Sequence, residues 1–191
     1  MTCEYANYHP TLWRTCRALM NLRRLACLRE VIRQPNQTVG SIARNTGLPF
    51  NQASTNLRLL QARGLISVLR ESRWVYYQPK ADPLVEHAET VLKALCKTVS
   101  AGKYSDTATL RVLRAFTHPR RLTLLGLLRS QSELTIEQLV VHAHISQPAV
   151  WRHLQTLAKS AVVEYVPERQ TWRIKSLQTR PPLSHLLLSA I

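Results

Sequence analysis

Acidic side chains are scarce in this sequence. Eleven Asp and Glu stand against 26 Lys and Arg in 191 residues, a net charge of +15, and carboxylates so few and so dispersed leave little material for acid–base catalysis. Cysteine is sparse as well. Cys3, Cys16, Cys27 and Cys96 fall at wide spacings with no Cys-x-x-Cys pair, which argues against a zinc ribbon or a disulfide framework and fits reduced thiols in a cytoplasmic protein. The five glycines build neither a phosphate-cradling loop nor a nucleophile elbow. No run reaches the ~18 apolar residues of a membrane span, and the start of the chain, with Glu4, Tyr5 and His9-Pro10, lacks an apolar signal core. An enzyme, a cofactor and a membrane segment are therefore not expected.

What is present is charge, and a sequence that repeats. Residues 1–100 carry fourteen cations against six carboxylates and residues 101–191 carry twelve against five, so both halves are basic. Such an excess attracts polyanions over a screening length of roughly 8 Å. At a separation of 97 residues, Arg17-Ala18 and Arg23-Arg24-Leu25 return as Arg114-Ala115 and Arg120-Arg121-Leu122. Thr38-Val39 returns as Thr135-Ile136, and Ala53, Leu57 and Leu60 return as Val150, Leu154 and Leu157. Two copies of one small basic unit point to nucleic-acid binding.

The apolar spacing predicts helices over Leu12 to Met20 and Leu22 to Arg33, the second with a stripe of Leu22, Leu25, Leu28 and Ile32. Thr38 caps a third helix that Gly47 stops, and after Leu48-Pro49 a fourth runs to Arg63, where Gly64 marks the stop. Leu65 to Leu69 and Trp74 to Gln78 read as a hairpin around Arg70-Glu71-Ser72-Arg73. A linker helix opens at Pro83 and carries Leu84, Val91, Leu92 and Leu95, and Asp106 caps the next one. In the second copy, Thr107 to Phe116 is helical and Pro119 opens a helix to Arg129. Thr135-Ile136-Glu137-Gln138 is a capping box, and Ser146 caps a helix to about Lys159. Val162 to Val166 and Thr171 to Ser176 form the second hairpin around Pro167 to Gln170, and the tail from Pro181 makes at most a short apolar helix. Trp74 and Trp172 are read as equivalent core anchors of the two hairpins.

Three helices and a hairpin are the order of a winged helix-turn-helix. The expected fold is mainly α with small β-hairpins. A first winged-helix domain at 12–80 and a second at 108–178 are joined by a helical linker at 81–107 and followed by a short apolar tail at 179–191. In the second copy, His118-Pro119-Arg120-Arg121-Leu122, Glu133-Leu134-Thr135 and Ser146-Gln147-Pro148-Ala149-Val150-Trp151-Arg152-His153-Leu154 resemble the ArsR family of transcriptional repressors. The first copy carries fewer of the motifs: Arg24-Leu25, Thr38-Val39, Gly47-Leu48 and Leu57 to Ile66.

The helix faces supply candidate DNA-binding residues. Opposite the apolar face of the fourth helix stand Asn51, Thr55 and Arg58, with Gln52 and Ser54 beside them. The matching set is Arg152, Gln155 and Lys159, flanked by Trp151, with Ser146 and Gln147 at the helix start, where free N–H groups suit phosphate. The resemblance implies that these helices enter the major groove, where Arg can bond guanine and Gln or Asn can bond adenine, at about 1–3 kcal/mol of discrimination each. It also implies that Arg70 and Arg73 at one hairpin tip, and Arg169 at the other, act as wings on phosphate or minor groove. Trp151 departs from the serine that the family has at that point, whereas Ser54 keeps it.

Metal-sensing members of that family carry cysteines on the helix before the recognition helix or near the chain ends. Here those helices read Val39-Gly40-Ser41-Ile42-Ala43 and Ile136-Glu137-Gln138-Leu139-Val140, so no metal is expected. Cys3 with Cys16, or Cys16 with Cys27, would have to converge in space, and His142 and His144 are two apart and point differently. His153 is expected to make an internal hydrogen bond. The linker stripe resembles the family's dimerisation helix, which leaves open an intramolecular pseudo-dimer or a homodimer that also uses Leu186, Leu187 and Leu188. The expected function is sequence-specific binding of double-stranded DNA and transcriptional regulation, by repression, through unlike half-sites ~34 Å apart. The alternatives are a protein–protein interaction scaffold anchored by Trp151, or structured-RNA binding.

Overall fold

The computed structural model describes residues 10–102, 105–176 and 182–191. Cys3 and the other residues before Pro10, residues 103–104 of the expected linker, and residues 177–181 of the expected second domain and tail lie outside the described residues. The chain divides into two units. One is Ala18–Leu110; the other joins Arg111–Ile191 with the chain as far as Arg17. The first helix, α1 (Pro10–Leu19), is thus shared between units, although the sequence alone groups it from residue 12 with the helices after it.

In the Ala18–Leu110 unit, α2 (Leu22–Arg33) starts where Asn21 Oδ1 accepts from the Arg24 N–H at 3.0 Å. After β1 (Gln37–Thr38), Thr38 caps α3 (Val39–Thr46) by accepting from Ser41, and Gly47 ends it at φ +66°. A left-handed residue there frees the chain to turn at no steric cost. The next helix, α4 (Phe50–Ala62), leads into β2 (Ser67–Glu71) and β3 (Trp74–Gln78). The antiparallel sheet has the order β1-β3-β2. Gly64 also has positive φ, and a Cβ there would lie 2.7 Å from that of Val85, so the glycine admits close approach of the segment after β3. Leu25, Leu28, Val31, Ile42, Leu57, Leu60 and Ile66 fill the core.

Two apolar positions expected in stripes are outside it. Leu22 is 55% exposed, because the buried face of α2 runs through Leu25, Leu28 and Val31 instead. Leu84 is 92% exposed, because α5 (Ala88–Ser100) begins only after His87 turns left-handed at φ 60°; Val91, Leu92 and Leu95 are buried as expected. The helix α6 (Asp106–Leu113) is capped by Ser105, whose Oγ accepts from Ala108, while Asp106 is its first residue and pairs with Arg29.

The same order of elements recurs in the C-terminal unit: α7 (Pro119–Gln131), β4 (Glu133–Leu134), α8 (Ile136–Ala143), α9 (Gln147–Lys159), β5 (Val163–Val166) and β6 (Thr171–Ile174). A 3-10 turn at Arg114–Phe116 precedes α7, and the sheet order is β4-β6-β5. Thr135 and Gln138 form the expected capping box, with bonds of 2.9 and 3.3 Å. His144 closes α8 in the left-handed region. Ser146 gives α9 no side-chain cap; only its carbonyl accepts, from Ala149 and Val150. The tail forms α10 (Pro182–Leu188), where Leu183, Leu187 and Leu188 are buried and the Leu188 carbonyl accepts from Arg129 at 2.8 Å.

The two hairpins are not in register with each other. Val68 pairs with Tyr77, and Tyr165, 97 residues after Val68, pairs with Trp172. Trp172 therefore takes the place of Tyr77, and the first hairpin is longer by two residues. Trp172 is 3% exposed and Tyr77 is buried, whereas Trp74 is 50% exposed. Trp74 is not a core anchor, because it stands an odd number of residues from Tyr77 and a strand reverses face at each step.

Candidate nucleic-acid interface

Helices α3 and α4 meet at the turn Gly47-Leu48-Pro49, and the burial of Ala53, Leu57 and Leu60 turns the other face of α4 outward. Asn51, Thr55 and Arg58 are exposed there, and Gln52 and Ser54 are half-buried. Two of the polar groups are partly committed to the helix itself. Thr55 Oγ1 donates to the Asn51 carbonyl at 2.9 Å, and Asn51 Oδ1 accepts from the Gln52 N–H at 2.8 Å. Neither Pro49 nor Ser146 caps its helix with a side chain.

Arg70 and Arg73 are exposed on the first hairpin, with Ser72 left-handed at its turn, and the Arg73 guanidinium lies 5.5 Å from the Trp74 ring centre. Burial pushes the Tyr77 hydroxyl pKa up, and the charges of Arg58 and Arg70 pull it back. Both guanidinium groups thus act on one phenol. Sequence reasoning missed Phe50, exposed at the start of α4, and a polar cavity of about 230 Å³ lined by Asn21, Arg23, Asn51, Gln52, Thr55 and Asn56. The signal available for it was Arg23 beside the cap residue Asn21, a pairing that helical periodicity treats as mere surface.

On α9, the burial of Val150, Leu154 and Leu157 leaves Ser146, Gln147, Trp151, Arg152 and Lys159 exposed and Gln155 half-buried. Trp151 is 49% exposed and meets Trp172 edge-on, with centroids 6.1 Å apart and an interplanar angle of 83°. Tyr165 lies 5.3 Å from Trp172 on the same cluster, and it too was missed. The wing arginine is not free. Arg169 Nη1 donates to Glu133 Oε2 at 3.1 Å, and Arg173 bridges Glu133 and Glu164 at 3.3 and 2.8 Å. Arg169 and its neighbours hold the Glu133 carboxyl below the usual carboxylate range.

The internal hydrogen bond expected of His153 is not what the structure shows; its contact is ring to ring. Its ring lies 4.7 Å from that of His118, whose Nδ1 accepts from the Arg120 N–H at 3.1 Å. Burial lowers the His153 pKa to about 4, helped by His118, Arg121, Arg120 and Arg152. Burial, Arg121, Arg120 and Arg17 lower His118 as well. Cys16 and Cys27 are fully buried and burial pushes their thiols up to about 12 and about 11. Among the described residues, no group of three or more His, Cys, Asp or Glu gathers that could hold a metal ion.

Residues 118–165 match the model of a family described as bacterial regulatory protein, arsR family. The match runs from the residue before α7 through α8 and α9 into β5, and it suggests DNA binding and transcription regulation. No curated protein matches the chain. Among the described residues, no helix is long and apolar enough to cross a membrane.

Proposed function

We propose that this chain is a transcriptional regulator that binds double-stranded DNA through two winged helix-turn-helix units, with α4 and α9 as unlike reading helices, and that it acts as a repressor. The observation that carries the reading is the coincidence of the family match at 118–165 with a helix-turn-helix whose second helix turns Arg152 and Lys159 to solvent. The 97-residue repeat and the recurrence of the same elements over residues 22–78 extend it to the first unit. Asn51, Thr55 and Arg58 would read one half-site. Trp151, Arg152 and Gln155 would read the other, with the tryptophan offering apolar contact to a thymine methyl. Two linked readers of different chemistry favour an asymmetric operator.

The test is a gel shift with genomic fragments over a range of salt. DNA reading predicts discrimination among fragments and a log–log slope of about −0.9 per neutralised phosphate. Flat salt dependence and equal binding of all fragments would overturn it. A protein–protein scaffold is favoured by a specific observation, the exposure of Val141, Trp151 and Tyr165 in one unit. Flat salt dependence is the result expected of a scaffold.

A further inference from the structure

The Ala18–Leu110 unit contains a concavity that the DNA reading does not use. Pro79 and Pro83, from the segment after β3, and Leu92 and Cys96, on α5, form the apolar walls of an open groove of about 620 Å³. That volume is in the range of small-molecule sites, ~300–1,000 Å³. Leu92 and Cys96 are four residues apart and therefore lie one above the other on the helix. Cys96 is half-buried, and desolvation pushes its thiol pKa up, as apolar surroundings do.

The charge at this groove is unlike that of the rest of the chain. Arginine outnumbers lysine 20 to 6, yet the cations here are Lys80, Lys93 and Lys97, half of all the lysines. Glu89 also lines the groove and is bonded to Lys93 at 2.7 Å, so Lys80 and Lys97 supply the excess positive charge. A lysine head is a compact, strongly hydrated charge on a flexible stem. Such side chains lay their methylenes along apolar walls and keep the ammonium at the water's edge. Apolar walls under an excess of ammonium groups suit a ligand with an apolar chain and one anionic end.

We propose that this groove binds a fatty acid, its chain lying along Pro79, Pro83, Leu92 and Cys96 and its carboxylate met by Lys80 and Lys97. The apolar walls supply affinity through removal of chain surface from water. The lysines supply the choice of sign. Occupancy of the groove does not depend on DNA and is tested without it.

Cys96 reports occupancy directly, since a chain in the groove covers its thiol and peptide mapping separates it from Cys3, Cys16 and Cys27. The full-length protein is alkylated with N-ethylmaleimide at increasing dodecanoate, below its micelle concentration, and modification of Cys96 is followed by peptide-mapping mass spectrometry. Dodecanoate is expected to slow Cys96 alkylation saturably, and dodecanol and dodecyltrimethylammonium to do so only at much higher concentration. Lys80→Glu with Lys97→Glu should raise the dodecanoate needed by about tenfold. Arg33→Glu with Arg44→Glu, the same charge change at exposed sites outside the groove, should leave it unchanged. Absence of saturable protection, equal protection by the cationic amphiphile, or equal loss in the arginine control would overturn the proposal. So would protection without ligand that grows with protein concentration, which would mean that a second copy covers the groove. The ligand series on the wild-type chain decides the matter even where a variant does not fold.

Discussion

The rings of His118 and His153 lie 4.7 Å apart between centroids, at 38° between planes, and connect the start of α7 to α9. Burial and the arginines around them lower the pKa of both imidazoles, that of His153 to about 4. In the unfolded chain a histidine takes up its proton near ~6.5. The folded-state value is the lower one, so the stability present above a pH of about 6.5 is lost progressively as pH falls toward about 4. Thermal midpoints measured across that window should fall for the wild type and fall less steeply for His153→Gln. A titration of the His153 ring by NMR with a midpoint near the unfolded value would contradict this account.

Trp151 and Trp172 touch, yet their removal should have different consequences. Trp172 is almost fully buried in the sheet, so Trp172→Ala should cost about 3–5 kcal/mol in denaturant unfolding. Trp151 is half-exposed, so Trp151→Ser should cost less and should instead change which fragments are selected from random DNA. Unchanged selection with Trp151→Ser would remove the tryptophan from the reading surface.

Glu133 holds Arg169 and Arg173 through paired hydrogen bonds. Glu133→Gln removes the charge that retains Arg169, while Arg173 keeps Glu164, and the arginine at the hairpin tip becomes free to meet a phosphate. The expected result is tighter DNA binding at low salt, with a log–log salt slope steeper by ~0.9 for each phosphate gained. A gel-shift salt series on both proteins checks it, and an unchanged slope would mean that Arg169 stays away from the duplex.

On α4 and α9, nearby positions separate the proposed DNA contact from stability. Arg58→Ala and Arg152→Ala remove exposed groups and should relax sequence preference by about 1–3 kcal/mol per contact while leaving the unfolding midpoint nearly unchanged. Leu57→Ala and Leu154→Ala truncate fully buried side chains and should destabilise by about 2–5 kcal/mol. A uniform loss of affinity at every sequence for the arginine variants would reassign them to phosphate contact.

Caps, turns and the faces of α4 and α9 were legible in the chain because each depends on a few neighbouring residues. Thr38, Gly47, Gly64 and the Thr135–Gln138 box set helix ends through bonds and dihedrals three or four residues apart. Arg58 was expected outward from the buried Leu57 and Leu60, and Arg152 from Val150 and Leu154, and both arginines are exposed. The two-residue strands β1 and β4 were not legible, since pairs this short carry no alternation. The cap expected from Ser146 failed because the chemistry of a residue does not fix the direction of its side chain.

The sequence by itself determined the helices and the two hairpins, their order, the basic charge and the outward faces of α4 and α9, since helical period and capping are short-range properties. Tertiary structure alone decided that Trp172 is buried while Trp74 is exposed, that Arg169 is held by Glu133, and that His118 lies against His153. Each of these depends on strand register or on helices distant in the chain, and a shift of one residue reverses the face a strand presents.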